Sequence, residues 1–215
     1  MHAGGASFWQ RVSGVYDTGV DFVLGNDLRQ RILGKLKNEQ QLGRTVEFGC
    51  GTGYFTPVLA QLSGSVVATD ISDAMLDRLQ ERIRKLPTVS VRKEDCEKTT
   101  FSDAAFDTAF LGLTFQLVDG PRTIAEMQRI LKPGGKLILA IPTMEGLRIP
   151  DKIRCVLRNY QAYGTIRPPG TRLYTRKTLP PVVTRGGFRL NEVEFLTDPA
   201  HPGGFSGIYL RAIKI

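Results

Sequence analysis

The chain has 215 residues, of which 41% are hydrophobic and 23% are charged, a composition typical of a globular protein with one sizeable core. It has no apolar run near the roughly 20 residues of a membrane-spanning helix, and its first residues lack the segments of a signal peptide. Its three cysteines, Cys50, Cys96 and Cys155, are too far apart for metal spacing, so we expect a cytoplasmic protein with reduced thiols and no bound metal. From its length we expect a single domain over residues 1–215.

The net charge of +8 comes from one segment. Residues 148–189 hold ten basic side chains and a single acid, Asp151, whereas the rest of the chain holds 19 basic and 20 acidic side chains. This segment favours an anionic partner, which can be a small molecule, RNA or an anionic membrane surface.

The N-terminal region is predicted to be helical. Residues 7–38 carry apolar side chains at three- and four-residue steps, which indicates helices ahead of the first strand. We therefore interpret residues 1–44 as a helical cap on the domain.

Residues 45–53 are the most informative stretch of the sequence. A short strand reaches Glu47, glycines follow at positions 49, 51 and 53, and apolar residues then resume at helical spacing. Glycine permits positive φ and lets a ligand approach the backbone, and a helix start presents unpaired N–H groups. A dinucleotide-binding G-x-G-x-x-G pattern would need a further glycine at position 54, where Tyr54 stands.

Strands and helices alternate after this loop. Apolar runs predict strands at residues 65–70, 89–93, 106–113 and 131–139, with helices between most of them. The second strand ends at Asp70, whose carboxylate can accept hydrogen bonds from both hydroxyls of a ribose. The alternation stops at residues 142–174, an insertion in which Pro150 opens a helix. A helix over 174–185 and an antiparallel pair at 188–195 and 207–214 complete the chain.

Three motifs carry a resemblance to a known family. The E-x-G-x-G-x-G pattern that begins at Glu47, the Phe106-Asp107 pair and the Leu131–Leu137 stretch (L-K-P-G-G-x-L) resemble class I S-adenosylmethionine (SAM)-dependent methyltransferases, in particular those that modify quinones and other small molecules. The resemblance implies an α/β, Rossmann-like fold with a seven-stranded, mostly parallel sheet in the order 3-2-1-4-5-7-6. Strand 7 is then antiparallel, and helices cover both faces.

The same resemblance implies SAM as the cofactor, with S-adenosylhomocysteine as its product, and assigns its contacts. The acid at the end of the first strand lies near the methionine amino group, the glycine loop passes under the nucleoside, and later residues hold the ribose, the adenine and the substrate side. In this sequence those positions are Tyr16, Glu47, Gly49, Cys50, Gly51, Gly53, Asp70, Ile71, Met75, Asp95, Cys96, Leu111 and Gln116. Of these, Ile71 and Met75 would flank the adenine, and Asp95 and Cys96 would hydrogen-bond it. The alternative roles are packing of an amphipathic helix for Tyr16, core packing for Met75 and a solvated loop acid for Asp95.

No catalytic set stands out in the sequence. Residues 111–114 replace the N/D-P-P-Y/F motif of nucleic-acid amino methyltransferases, and Pro180-Pro181 is followed by Val182 rather than by a nucleophilic cysteine. The candidates for a catalytic role are Tyr16, Gln116 and His201, the first two as positioning groups and His201 as a base if its loop folds inward.

The insertion at residues 142–174 is interpreted as a basic substrate lid in which Arg154 and Arg158 bind the acceptor; an ordinary solvated basic face is the alternative. Arginine pairs well with carboxylates and phosphates, so we expect a small, anionic methyl acceptor and no obligate protein partner. Two alternatives stay open: an RNA- or phospholipid-directed methyltransferase that docks through the basic segment, and a catalytically silent SAM-binding protein.

Overall fold

The computed structural model describes residues 3–197 and 205–215. The helices are α1 (Ala3–Val12), α2 (Tyr16–Leu24), α3 (Asn26–Leu36), α4 (Thr56–Leu62), α5 (Asp73–Ile83), α6 (Gly120–Ile130), α7 (Ile149–Tyr163) and α8 (Leu179–Arg185). The strands are β1 (Arg44–Phe48), β2 (Ser65–Asp70), β3 (Val89–Lys93), β4 (Phe106–Gly112), β5 (Leu131–Thr143), β6 (Phe188–Leu196) and β7 (Ser206–Lys214). Short 3-10 turns at Ser13–Val15 and Phe115–Leu117 complete the regular structure.

The seven strands form one sheet in the order β3-β2-β1-β4-β5-β7-β6. Strands β1 to β5 pair in parallel, and β7 runs antiparallel to both of its neighbours, β5 and β6. The strand order predicted from the sequence is therefore confirmed. The order reverses between β1 and β4, and in an open α/β sheet this switch point is where a crevice forms at the carboxyl ends of the strands.

Two apolar clusters, one on each face of the sheet, explain why the strands are nearly continuous hydrophobic runs. One cluster joins β2 and β4 to α1, α2, α3, α4 and α5, and includes the buried Leu28, Ile32 and Leu59. The other joins β1 and β4 to α6 and α8, and includes Ile124 and Met127. Strands covered on both faces need apolar side chains at almost every position, and helices on both faces are confirmed.

The helix predicted over 174–185 is shorter than expected, because α8 begins at Leu179. Residues 175–178 form a hydrogen-bonded turn, in which the amide of Thr175 donates to Oγ1 of Thr178 at 2.9 Å. Pro180 and Pro181 then occupy the first turn of α8, where a missing N–H costs nothing.

The helix predicted at Pro150 is confirmed as α7, but its apolar stripe does not pack inward. The residues of α7 that are buried are Cys155, Asn159 and Tyr163. The stripe at Ile149, Ile153, Val156, Leu157 and Tyr160 is exposed instead. None of the helices in the described residues has the length and hydropathy to cross a bilayer.

Candidate functional site

A cleft lies at the carboxyl ends of β1, β2, β3 and β4, at the switch point of the sheet. It encloses about 510 Å³ of empty space, part of it open to solvent. The residues that line it come from α1, α2, the loops after these strands and the start of α5: Trp9, Tyr16, Phe48, Gly49, Gly51, Asp70, Ile71, Met75, Glu94, Asp95, Cys96, Leu113, Thr114 and Leu117.

The glycine loop is held in a conformation that requires glycine. Gly49, Gly51 and Gly53 have φ values of 62°, 53° and 84°. A Cβ atom on Gly49 would lie 2.3 Å from Oγ1 of Thr114. One on Gly53 would lie 2.4 Å from Cδ1 of Leu79 in α5. Gly49 and Gly51 line the cleft, whereas Gly53 allows the loop to pack against α5.

Asp70 presents a partly satisfied carboxylate to the cleft. Its Oδ2 accepts a hydrogen bond from the amide of Gly51 at 3.0 Å, and its Oδ1 accepts one from the amide of Ser72 at 2.9 Å. A carboxylate has about four acceptor sites, so each oxygen keeps capacity for a ligand hydroxyl. Burial raises the pKa of Asp70, against the effect of the backbone N–H groups that it accepts.

Three residues expected at the cofactor lie behind the cleft wall instead of lining it. Leu111 is fully buried in the core, and Cys50 is buried with its amide donating to the carbonyl of Thr69 at 2.9 Å. Glu47 accepts a hydrogen bond from Oγ1 of Thr56 at 2.6 Å. Burial, with a smaller contribution from the nearby Asp70 carboxylate, raises the pKa of Glu47 to about 8.

The cleft lining includes the four residues assigned to the adenine by resemblance. Ile71 and Met75 supply apolar lining, and Asp95 and Cys96 line the cleft from the segment after β3. Asp95 also accepts a hydrogen bond from the amide of Glu97 at 3.0 Å. Burial raises the pKa of Cys96 to about 12, so this side chain stays a neutral thiol.

A second chamber opens from the cleft and shares Trp9, Tyr16, Leu113 and Leu117 with it. It encloses about 710 Å³ of empty space, part of it open to solvent. Its other lining residues are mostly apolar, namely Val20, Val23, Leu24, Pro142, Met144, Cys155, Val156, Tyr163, Ile166, Pro168 and Phe205. The polar ones are Gln116, Asn159, Arg167 and Thr171. A chamber that is mostly apolar, with few polar groups, is typical of a small-molecule site.

Gln116 lines this chamber rather than the cleft. Its Nε2 donates to the carbonyl of Leu113 at 2.6 Å. Its Oε1 is buried without a hydrogen-bond partner in the structure. An unpartnered buried acceptor costs free energy, and a hydrogen-bond donor would satisfy it.

Leu113 is a site residue that the sequence did not reveal. It lines both cavities and adopts a φ of 58°, which is rare for a side chain with a Cβ atom. Its amide donates to the carbonyl of Ala140 at 2.7 Å, and this fixes the turn that carries Thr114 and Gln116. Trp9 was also missed, because on a helix it reads as an ordinary core residue.

Tyr16 stands at the junction of cleft and chamber. Burial and the nearby Asp70 carboxylate raise the pKa of its phenol, so Tyr16 stays protonated at neutral pH. Its neighbour Asp17 joins the cap to the glycine loop, because Oγ1 of Thr52 lies 2.9 and 3.0 Å from the two Asp17 carboxylate oxygens.

Arg154 and Arg158 do not line either cavity. Arg154 forms an ion pair with Asp151 at 3.0 Å on the surface of α7. The guanidinium of Arg158 lies 5.8 Å from the ring centroid of Phe22. The basic residue that lines the chamber is Arg167, which is exposed at its rim. His201 lies outside the described residues.

The cleft fits SAM on two observations. The first is the absence of a side chain at Gly51. A Cβ atom there would lie 3.3 Å from Cε1 of Tyr16, so any side chain at this position would narrow the cleft. The second is the Asp70 carboxylate, which lines the cleft and can accept further hydrogen bonds. Asp70 would hold the ribose hydroxyls, while Ile71, Met75 and Asp95 would hold the adenine. No group of three or more His, Cys, Asp or Glu within the described residues is placed to hold a metal ion.

Comparison with known proteins agrees with this assignment. Residues 46–139 match the family model described as a methyltransferase domain. Malonyl-(acyl-carrier protein) O-methyltransferase of Serratia marcescens is 31% identical over 136 residues, which are 63% of this chain and 51% of that protein. Demethylmenaquinone methyltransferase of Clavibacter sepedonicus is 29% identical over 137 residues, which are 62% of this chain and 56% of that protein. The chain thus spans about half the length of these curated relatives.

The fold has a similar solved structure over its whole length. A SAM-dependent methyltransferase from Thermotoga maritima superposes with a TM-score of 0.74 and 24% identity, covering 98% of this chain and 99% of that one. The matched residues 46–139 include the glycine loop, Asp70 and the β4 turn. These residues match a methyltransferase domain, and the chain as a whole has the fold of this solved SAM-dependent methyltransferase.

Proposed function

We propose that the protein transfers the methyl group of SAM to a small, largely apolar acceptor that carries a hydrogen-bond donor. The cleft would hold the cofactor, and the chamber would hold the acceptor. A negative charge on the acceptor would be met by Arg167 at the rim, so an anionic acceptor would place its charge there and its apolar body inside.

The observation that carries this proposal is the unpartnered Oε1 of Gln116. Gln116 lines the mostly apolar chamber, its Oε1 is buried without a hydrogen-bond partner, and its amide nitrogen donates to the carbonyl of Leu113. A hydroxyl or amine N–H of the acceptor would satisfy Oε1, whereas a carboxylate or phosphate oxygen would not. Gln116 would therefore select an acceptor with a donor group and orient it.

Bound SAM would supply a methyl group on a positively charged sulfur, and transfer forms the acceptor–methyl bond while the electron pair of the broken bond stays on sulfur. The chain would position the acceptor and exclude water between Trp9, Tyr16 and Leu113. Burial raises the pKa of Tyr16, Cys155 and Tyr163, the titratable side chains of the chamber that show a shift. None of these three is a base at neutral pH, so the acceptor must itself be electron-rich.

The two named relatives suggest different acceptors. One is named for a malonyl group on an acyl-carrier protein and the other for demethylmenaquinone. The apolar walls of the chamber, together with Gln116, favour an aromatic acceptor with a hydroxyl group over an acidic thioester.

The test compares two acceptors that differ in one hydroxyl, a dihydroxynaphthalene and the matching monohydroxynaphthalene, with release of S-adenosylhomocysteine as the readout. We expect wild type to prefer the dihydroxy compound in kcat/KM. Gln116→Leu should lower the ratio of the two kcat/KM values by about tenfold or more, which removes the preference, and should leave the Kd for SAM unchanged. Met144→Leu, a similar-sized change in the same chamber, should keep it.

Equal kcat/KM values for the two acceptors in wild type would contradict the role of Gln116. SAM binding without turnover of any acceptor would instead favour a silent SAM-binding protein. Turnover of RNA or phospholipid alone would favour a macromolecular substrate.

A further inference from the structure

The outer surface of α7 is unusual for a helix that packs on a domain. Five of its apolar residues, which we call the α7 stripe, are between 36% and 74% exposed: Ile149, Ile153, Val156, Leu157 and Tyr160. The helix already has its buried side at Cys155, Asn159 and Tyr163. The stripe is therefore an additional apolar surface, larger than the scattered exposed side chains of an ordinary surface.

Positive charge lies at one end of the stripe. Arg148, the N-cap of α7, and Lys152, in its first turn, are exposed, whereas Arg154 and Arg158 fall on the side of the helix away from the stripe, since successive residues are about 100° apart. Of the ten basic residues in 148–189, Arg154, Arg172 and Arg176 form ion pairs. Of the basic residues in or next to α7, Arg148, Lys152, Arg158 and Arg167 pair with no acidic side chain in the part of the chain that the structure describes, so their charge is available to an outside partner.

The chamber reaches this surface. Val156 belongs to the stripe and also lines the chamber. Ile166 and Arg167, which follow α7, are exposed and line the chamber too. The stripe and the chamber are thus contiguous at Val156.

We propose that the α7 stripe and its basic neighbours form a docking surface for an anionic lipid bilayer. An amphipathic helix with an apolar side and arginine or lysine beside it lies in the membrane interface, where its apolar side enters the headgroup boundary and its cations meet anionic lipids. Tyr160 suits the same depth, since tyrosine favours the interface. The bilayer would then deliver a lipophilic acceptor to the chamber, a consequence that rests on the proposed function.

Two other occupants fit the surface less well. A second copy of the chain joined by a two-fold axis would bring the same basic surface against itself, with no acid but Asp151 in residues 148–189 to compensate. A nucleic acid would use the cations but would leave Ile149, Ile153 and Leu157 without a role, because bases stack on aromatic side chains.

The test is co-sedimentation with large vesicles of pure phosphatidylcholine and of phosphatidylcholine with phosphatidylglycerol, at low salt and without SAM. We expect binding to the anionic vesicles that weakens as salt increases. Arg148→Gln with Lys152→Gln should weaken it about 25-fold, at roughly fivefold for each charge near the surface. Ile153→Ser with Leu157→Ser should weaken it by about tenfold or more.

Matched controls remove the same groups elsewhere. Lys37→Gln with Lys85→Gln removes two exposed charges outside the surface, and Ile215→Ser removes a side chain that is 75% exposed at the end of the chain. Both should bind vesicles like wild type.

Binding that is lost equally in the controls, or absent for wild type, would overturn the proposal. So would a dimer, measured by light scattering without vesicles, that Ile153→Ser with Leu157→Ser converts to a monomer. Because the readout needs neither cofactor nor turnover, a failure here leaves the methyl-transfer proposal standing, and a failure of turnover leaves this one standing.

Discussion

The hydroxyl of Thr52, in the glycine loop, contacts the carboxylate of Asp17, in the N-terminal cap, at 2.9 and 3.0 Å. The same carboxylate receives Arg29 at 3.0 Å and Arg82 at 3.2 Å. Partial burial opposes ionisation of Asp17, but the hydrogen bonds from Arg29 and then Thr52 lower its pKa overall. Asp17 is therefore an ionised link between cap and loop.

We expect Asp17→Ala to weaken SAM binding about tenfold, because a hydrogen bond to a charged group contributes roughly 1.5–3 kcal/mol and its loss frees the loop from the cap. Asp21→Ala is the control, since Asp21 also pairs with Arg29 but not with Thr52. Both variants should lower the free energy of unfolding, and only Asp17→Ala should raise the Kd in a calorimetric titration. Equal Kd values in the two variants would show that the contact between Asp17 and Thr52 does not support SAM binding.

Gly19 allows α2 to approach α7. A Cβ atom at this position would lie 2.8 Å from Cε1 and 2.9 Å from the hydroxyl oxygen of Tyr163. We expect Gly19→Ala to push the two helices apart beside the chamber, which should lower the free energy of unfolding by about 1–3 kcal/mol and raise the KM for the acceptor more than the Kd for SAM.

Gly34 provides the matched control for that substitution. It lies in α3 with no atom within 4 Å of a Cβ, so Gly34→Ala should stabilise the protein by about 0.5–1 kcal/mol through helix propensity. Urea unfolding measures both variants. A Gly19→Ala protein as stable as Gly34→Ala would mean that Tyr163 moves aside without cost.

The chamber predicts how the rate depends on pH. Because burial keeps Tyr16, Cys155 and Tyr163 protonated, the rate should rise with pH through the pKa of the acceptor rather than that of an enzyme group. A series of naphthols with different pKa values tests this through kcat/KM profiles. The midpoint should move with the naphthol. A midpoint that stays constant across the series would reveal a base in the enzyme.

The sequence was informative where local chemistry dictates structure. Backbone sterics predict positive φ at the three glycines, and strand order places Asp70 beside them at the end of a buried strand. The cleft could therefore be predicted. Gln116 was placed near the substrate, but its separation from the cleft depends on the left-handed turn at Leu113, which no local pattern announces. Arg154 and Arg158 were expected at the acceptor, yet neither lines the chamber. The buried side of α7 carries Cys155 and Asn159, because tertiary packing rather than the helix's own amphipathicity selects which side is buried.

The buried carboxyl of Glu47 predicts an unusual dependence of stability on pH. Its pKa is about 8 in the folded protein against 4.5 for an ordinary glutamate. Between these values the folded state binds more protons than the unfolded state, so this group lowers stability as pH rises, by up to about 1.4 kcal/mol per unit. Glu47→Gln keeps an acceptor for Thr56 and removes the charge. Its free energy of unfolding relative to wild type should therefore increase by about 2–5 kcal/mol from about pH 5 to about pH 8 and then level off.

Asp107→Asn is the control for Glu47→Gln. Lys132 and the Arg44 amide hold the pKa of Asp107 low, so Asp107 is ionised in both states over that range. The free energy of unfolding of Asp107→Asn relative to wild type should therefore not change with pH. Urea unfolding of the protein without SAM gives both curves, and a flat curve for Glu47→Gln would mean that Glu47 is ionised throughout and reached by solvent.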